Sequence, residues 1–313
     1  MCLWKIIFTT LFVVANLHSE EMCLAPRPPF SWDVEGKPCC WTEPCSWSCI
    51  HGYWFPEEPA LYKTMLADPR QICYSLGWRF DDQALHKDII DISLGDTLAL
   101  YEWCNVFFRH SLLRVEIEGA VWAVFSPKQE SAPLVNADYY VGIPITYALG
   151  PWSFRLRLYH ISSHIGDEYL LMHPDFDRRN PSAEYVDFFA SYDLSEDFRF
   201  FGGIGYAVSQ DDHFQCSPLF GAFGVDVRLR SMFGIDWYNE LYGTPFYGMY
   251  FRFSKDFKNH FDATYVLGYE WGKLSGLYRK VRVFFEYHDG YSLEGQFCKF
   301  PTNYLSLRAS YGF

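Results

Sequence analysis

The sequence predicts an all-β fold: a transmembrane antiparallel β-barrel of about 12–14 strands behind a short, irregular, cysteine-rich N-terminal extension. Three observations lead there. From Ile72 onward, segment after segment alternates apolar and polar residues with period two, and no useful length of helical periodicity interrupts them. Aromatic residues make up 20% of the 313 residues while mean hydropathy is only −0.11, which suits many one-sided strands better than one large soluble core. The chain also ends Leu305, Leu307, Ala309, Tyr311, Phe313 on one face, with an aromatic residue last. A soluble β-sandwich is the alternative that alternation alone permits.

Residues 1–19 read as a secretory signal: Lys5 supplies a positive start, Ile6 to Ala15 an apolar core, and Ser19 a small residue before Glu20-Glu21. That core is too short to span a bilayer as a helix, and no later stretch offers about 18 consecutive apolar residues. No cysteine stands at the cleavage point, which argues against a lipoprotein anchor. Residues 20–58 form the extension, rich in Pro, Trp and Cys. Cys23, Cys39, Cys40, Cys45 and Cys49 crowd it and read as disulfide candidates in an exported chain. With Cys2 removed an odd number of cysteines remains, leaving one thiol free or available for a disulfide-linked protein partner. Adjacent Cys39-Cys40 followed by gaps of four and three does not match zinc-ligand spacing. Residues 59–71 are a lead-in, with a short helix expected over Glu57 to Leu66 and closed by Ala67-Asp68-Pro69.

The barrel itself is expected over 72–313. Its clearest strands are 112–125, 138–148, 152–164, 184–194, 197–208, 219–230, 247–254, 260–271, 279–287 and 303–313, with weaker ones at 88–104, 233–238 and 291–298. With the alternation from Ile72 this counts fourteen, and twelve is the alternative. The terminal strand, through Tyr311 and Phe313, resembles the signature that the assembly machinery of bacterial outer-membrane barrels reads. The resemblance implies an outer-membrane location, with that machinery and outer-membrane lipids or lipopolysaccharide as partners. Short links at Leu149-Gly150-Pro151, Ser195-Glu196 and Ser254 to Asn259 suit periplasmic turns; longer links at 126–137, 165–183 and 209–218 suit outer loops. The formal net charge of −12 argues against nucleic acid as a partner.

Chemistry concentrates on Trp152 to His164, WSFRLRLYHISSH, followed at once by Ile165-Gly166-Asp167-Glu168. Trp152, Phe154, Leu156 and Leu158 share one face, and His160, Ser162 and His164 continue it. The other face carries Arg155, Arg157 and Tyr159, which are expected to line the lumen with Asp187 of the next strand, as a salt-bridged plug rather than a selective pore. A hairpin symmetric about Met172 sets Glu184 opposite His160 on the lipid side. Ser162 as nucleophile, His160 as base, and Glu184 or Asn180 orienting the imidazole would make an ester-cleaving site. Asp167 and Glu168 just above it could hold a hard cation such as Ca2+; no other cofactor is indicated.

The His160-Ile161-Ser162-Ser163 strand, with Asn180 or Glu184 on the next, resembles outer-membrane phospholipase A and the lipid A deacylases. That resemblance covers roughly 30 residues and implies the same three roles; Ser163-His164 departs from the Asn-Gly or Asn that those families carry. A broader resemblance, through Leu66-Ala67-Asp68-Pro69-Arg70-Gln71, then Arg157–Glu168, then Gly295-Gln296-Phe297, is to the outer-membrane family of domain of unknown function 1207. It implies a barrel without an established activity. Two function classes follow: a structural, surface or weakly channel-forming barrel, or an outer-leaflet lipid or acyl-ester hydrolase.

Overall fold

The computed structural model describes residues 51–56, 60–179, 181–230, 235–237, 241–257, 262–273 and 279–312. The signal segment, Cys23, Cys39, Cys40, Cys45, Cys49, Asn180 and Phe313 lie outside the described residues. The strands are β1 (His51–Trp54), β2 (Tyr74–Phe80), β3 (Asp88–Cys104), β4 (Leu112–Phe125), β5 (Leu134–Leu149), β6 (Trp152–Ile165), β7 (Ser182–Asp193), β8 (Phe198–Gln210), β9 (Leu219–Arg228), β10 (Ile235–Trp237), β11 (Leu241–Ser254), β12 (Asp262–Lys273), β13 (Lys280–Tyr291) and β14 (Pro301–Gly312). A short helix, α1 (Asp167–Met172), follows β6.

All pairings are antiparallel, and β14 pairs with β2, so β2 to β9 and β11 to β14 close into a twelve-stranded barrel. Seven-residue β2 covers only part of the long edge of β3, and β1 pairs with the remainder (His51↔Cys104). Part of the expected irregular extension is therefore a strand. β10 pairs with the start of β11 (Ile235↔Gly243) in the row that β9 leaves at Arg228↔Phe246.

Two expected crossings are corrected. Apart from Tyr291, which ends β13, residues 291–298 lie in the loop between β13 and β14, with a 3-10 turn at Gly295–Phe297, because Phe297 is drawn into an apolar cluster and Glu294 to Arg79. Of residues 233–238 the described ones, 235–237, form β10, which continues the row of β9 along β11 and adds no row of its own. Dropping both leaves the direction of β6 unchanged and inverts the strands between them. The link after Ser254 therefore lies on the rim of Gly166–Pro181, opposite the rim of the Gly150 turn.

Burial is inside out relative to a soluble protein. On β14, Leu305, Leu307 and Tyr311 are exposed, whereas Ser306, Arg308 and Ser310 are buried; β13 repeats this with Val281, Val283, Phe285 and Tyr287 outside and Arg282, Glu286 and His288 inside. Such a surface is stable only against lipid. Aromatic pairs edge it near both rims, with Trp152–Tyr192 and Tyr74–Tyr311 at the C-terminal rim and Tyr139–His164 at the other. Inside, opposite charges stand directly across from each other at Glu102↔Arg114, Arg157↔Asp187, Arg199↔Asp226, Arg252↔Asp262 and Glu270↔Arg282.

Residues 60–71 run through the lumen, and they do so without the expected helix. The segment enters at the C-terminal rim, where Lys63 Nζ meets Asp193 Oδ2 at 2.6 Å, and Tyr62 lies between the Arg155 and Arg199 guanidinium groups at 4.6 and 5.0 Å. It climbs with Arg199 donating to the Thr64 carbonyl (3.0 Å) and the Leu66 N–H donating to Asp226 (3.0 Å). Met65, Leu66 and Ala67 pack on Phe189, Phe246 and Val266. An Asx turn at Asp68 (Arg70 N–H to Asp68 Oδ1, 2.9 Å) then points Arg70 toward the opposite rim. The lumen groups take up backbone hydrogen bonds that a helix would have made within itself. Replacing Tyr62–Ala67 with a Gly-Ser segment of equal length is expected to create conductance in planar bilayers where the native barrel carries little. Equal conductance of both proteins would show that the ion pairs of the wall close the lumen without this segment.

Candidate functional site

Strand β6 presents chemistry on both faces. On the lipid face the register sets His160 opposite Glu184 and Ser162 opposite Ser182. His160 Nδ1 lies 3.3 Å from Glu184 Oε1, with the histidine side chain one-third exposed and the glutamate half exposed. Ser162 projects from the same wall two residues along, but among the described residues its hydroxyl makes no hydrogen bond to His160. His164 is exposed and meets the Tyr139 ring edge at 5.6 Å. The structure therefore brings His160 and Glu184 together with Ser162 on their face.

Asp167 and Glu168 occupy the first turn of α1, exposed, where carboxylates complement the helix N-terminus. Among the described residues no group of three or more His, Cys, Asp or Glu side chains gathers to hold a metal ion. That donor set does not fit a calcium site, and no chemical step is assigned to a cation.

The inward face is more heavily built. Arg157 donates to Asp187 (Nη2 to Oδ2, 2.5 Å) and stacks at 5.0 Å over Tyr159, whose ring lies parallel to Tyr185 at 5.0 Å. Arg155 sits over Tyr62 and Phe189. Beyond them, buried Ser163 donates to Asp138, which also accepts from Asn136 Nδ2 (2.8 Å) and from Arg70 of the luminal segment. Arg70 also donates to the Leu293 carbonyl and lies 5.0 Å over Trp122. Gly295 packs so closely that a Cβ there would fall 1.7 Å from Ser163 Oγ. Phe297 joins Val135, Ile165 and the α1 residues Tyr169 and Leu170, while Gln296 accepts from the Arg179 N–H at 2.7 Å.

Three segments that are far apart in the sequence, 66–71, 157–168 and 295–297, thus meet at one point under the rim. Asp138 is the hub, and sequence reasoning missed it. The signal was present in Ser163, which shares the parity of Arg157 and Tyr159 rather than that of Ser162. Beside the hub lies a cavity of about 310 Å³, bounded by Arg70, Tyr140, Arg157, Tyr159, Tyr185 and Arg252.

The profile of a family described as a protein of unknown function, DUF1207, covers residues 48–313. The chain belongs to the DUF1207 family. The match takes in all three converging segments. No curated protein matches the chain by sequence. Among solved structures it is similar to outer membrane phospholipase from Salmonella typhi, crystallised as a dimer with bound calcium. The identity is 11%, the match covers 80% of this chain and 94% of that one, and the TM-score is 0.50. It is also similar to outer membrane phospholipase A from Escherichia coli, at 12% identity over 78% of this chain and 93% of that one, TM-score 0.50. Identity at that level speaks for the fold. With its closed sheet and apolar belt, this DUF1207 chain is a bacterial outer-membrane β-barrel.

Two outcomes test the inward hub. Gly295→Ala is expected to destabilise the barrel by about 1–3 kcal/mol through overpacking, and Ser163→Gly in the same chain to recover part of that loss, both read from urea unfolding in lipid vesicles. Glu294, in the rim loop, accepts from Arg79 Nη2 at 2.8 Å and from the Ser292 hydroxyl at 2.6 Å. Burial alone would raise its pKa, but Arg79 and Arg70 overcome this and hold it at about 2, below an ordinary 4.5. A depressed carboxyl contributes stability above its unfolded value, and that contribution is lost as pH falls from about 4.5 toward 2. Unfolding of Glu294→Gln is expected to depend less on pH across that window than unfolding of the native chain.

Proposed function

We propose that this DUF1207 barrel is an outer-leaflet acyl-ester hydrolase whose site is His160, Ser162 and Glu184. The observation that supports this most directly is the 3.3 Å pairing of His160 Nδ1 with Glu184 Oε1 on a wall otherwise given to lipid. A carboxylate on Nδ1 sets the tautomer and leaves Nε2 as the basic nitrogen. Ser162 Oγ attacks the ester carbonyl and passes its proton to Nε2. The tetrahedral intermediate collapses, the leaving alcohol takes that proton, and water later cleaves the acyl-serine by the reverse path. Ser162 makes no hydrogen bond to His160 in the free barrel, and catalytic hydrogen bonds commonly tighten only with substrate bound. A C-terminal strand ending in the periplasm puts the opposite rim, and this site, at the outer leaflet, where phospholipid or lipid A esters would be the substrates.

A second reading is favoured by the Ser162 hydroxyl, which among the described residues makes no hydrogen bond to His160. His160, Ser162, Ser182 and His164 would then form a polar girdle that hydrogen-bonds lipopolysaccharide headgroups on a non-catalytic surface barrel. Channel activity is the weakest of the earlier readings, because residues 60–71 occupy the lumen.

The readings separate in a turnover assay on detergent-folded protein with phospholipid and lipid A, with calcium or chelator present. Ser162→Ala and His160→Ala are each expected to lower hydrolysis at least about 100-fold, and Glu184→Gln by a smaller factor. Equal turnover in all variants, or none in the native protein, would sink the hydrolase and leave the girdle.

A further inference from the structure

Two loops on the rim opposite the C-terminus carry one cysteine each. Cys216 lies between β8 and β9, and Cys298 follows the 3-10 turn between β13 and β14. Their sulfur atoms are 3.4 Å apart, across 82 residues of sequence. Both are held in place. The Gln210 side chain clamps Cys216, accepting its N–H at 2.8 Å and donating to its carbonyl at 3.0 Å. The Cys298 N–H donates to the Gly295 carbonyl at 3.2 Å. Lys299 docks the loops independently: its ammonium donates to the Gln215 carbonyl at 2.6 Å and lies 4.6 Å over the Phe214 ring. The other two described cysteines are occupied elsewhere. Cys104 pairs with the Tyr53 hydroxyl at 2.9 Å, and Cys73 is buried against the backbone of β14.

We infer that Cys216 and Cys298 are joined by a disulfide in the exported protein, and that this bond fastens two rim loops across the mouth of the luminal cavity. Outer-membrane chains pass through an oxidising compartment. The sulfur atoms stand 3.4 Å apart and each residue occupies a rim loop rather than a strand, so only a small approach separates them from the bonding distance of about 2.05 Å. The hydrogen bond from Cys298 lowers the Cys216 thiol below its ordinary pKa, with burial opposing and Lys299 assisting, so Cys216 is the better nucleophile. The oxidant is a protein disulfide of the thiol–disulfide oxidoreductase class. Cys216 thiolate attacks one of its sulfur atoms, releasing one carrier thiolate and leaving a mixed disulfide. Cys298 thiolate then attacks Cys216 Sγ and releases the second carrier thiol. Two protein thiols are oxidised and one carrier disulfide is reduced to two thiols. Cys216, Cys298, Ser217 and Gly295 all border the cavity, so the bond ties its mouth to the Gly295–Phe297 segment.

The test uses full-length protein extracted from outer membranes, with free thiols blocked by N-ethylmaleimide before denaturation, then digested without reductant. Mass spectrometry is expected to find the Cys216 peptide linked to the Cys298 peptide. In Cys216→Ser, whose folding is checked by heat-modifiable migration, Cys298 is expected to appear alkylated instead. Reductant is expected to lower the temperature of heat modification by a few degrees in the native chain and to leave the variant unchanged. Recovery of both native cysteines in alkylated form, or their linkage to other cysteines, would overturn the assignment.

Discussion

Lipid offers no hydrogen-bond partner, so a spanning sheet must pair all of its backbone and turn its polar side chains inward. Most features of this barrel follow from that constraint. Closure requires β14 to meet β2, even though β2 has only seven residues, and β1 is recruited to cover the edge of β3 that β2 leaves. The same constraint places arginine and carboxylate side chains in the lumen, where most of them are buried. They are paired across neighbouring strands, and residues 60–71 run between them, leaving the cavity beside Asp138.

Those pairs also define register. A slip of one residue would send Arg157, Arg252 and Arg282 into lipid, and a slip of two would separate each from its carboxylate. A buried ion pair is weak evidence for net stability, but removing one partner leaves a costly uncompensated charge. The pairs therefore act first as a device of specificity. Within that frame the luminal segment reads as a tether: Lys63 at one rim and Arg70 at the other hold it to walls formed by four different strands and a loop.

Strand β6 shows how one segment serves two purposes. Its inward residues Arg157, Tyr159 and Ser163 help assemble the hub that unites three segments far apart in the sequence, 66–71, 157–168 and 295–297. Its outward residues His160, Ser162 and His164 place polar groups in an apolar belt, where hydration must come from the membrane interface or from a bound headgroup. The architectural role and the proposed catalytic role thus lie on opposite faces and are separable by substitution.

How much was legible follows from range. Alternation with period two is local, so the sequence by itself determined the all-β class, the inside-out pattern and the boundaries of β3, β4 and β6 to within a residue. The facing of Arg157 and Asp187, and of His160 and Glu184, followed from one symmetric hairpin. Residues 291–298 misled because Tyr291, Leu293 and Phe297 alternate with Ser292, Glu294 and Gln296 in the sequence, whereas in the barrel mouth both sets turn inward, with Ser292, Glu294, Gln296 and Phe297 all buried. Twelve rows rather than fourteen, the rim to which the link after Ser254 belongs, the course of Tyr62–Arg70 through the lumen, and the meetings of Arg70 with Asp138, Gly295 with Ser163 and Cys216 with Cys298 were decided only by tertiary structure. Each depends on closure and stagger of the whole sheet, which bring together residues separated by up to about two hundred positions, and no local pattern encodes that distance.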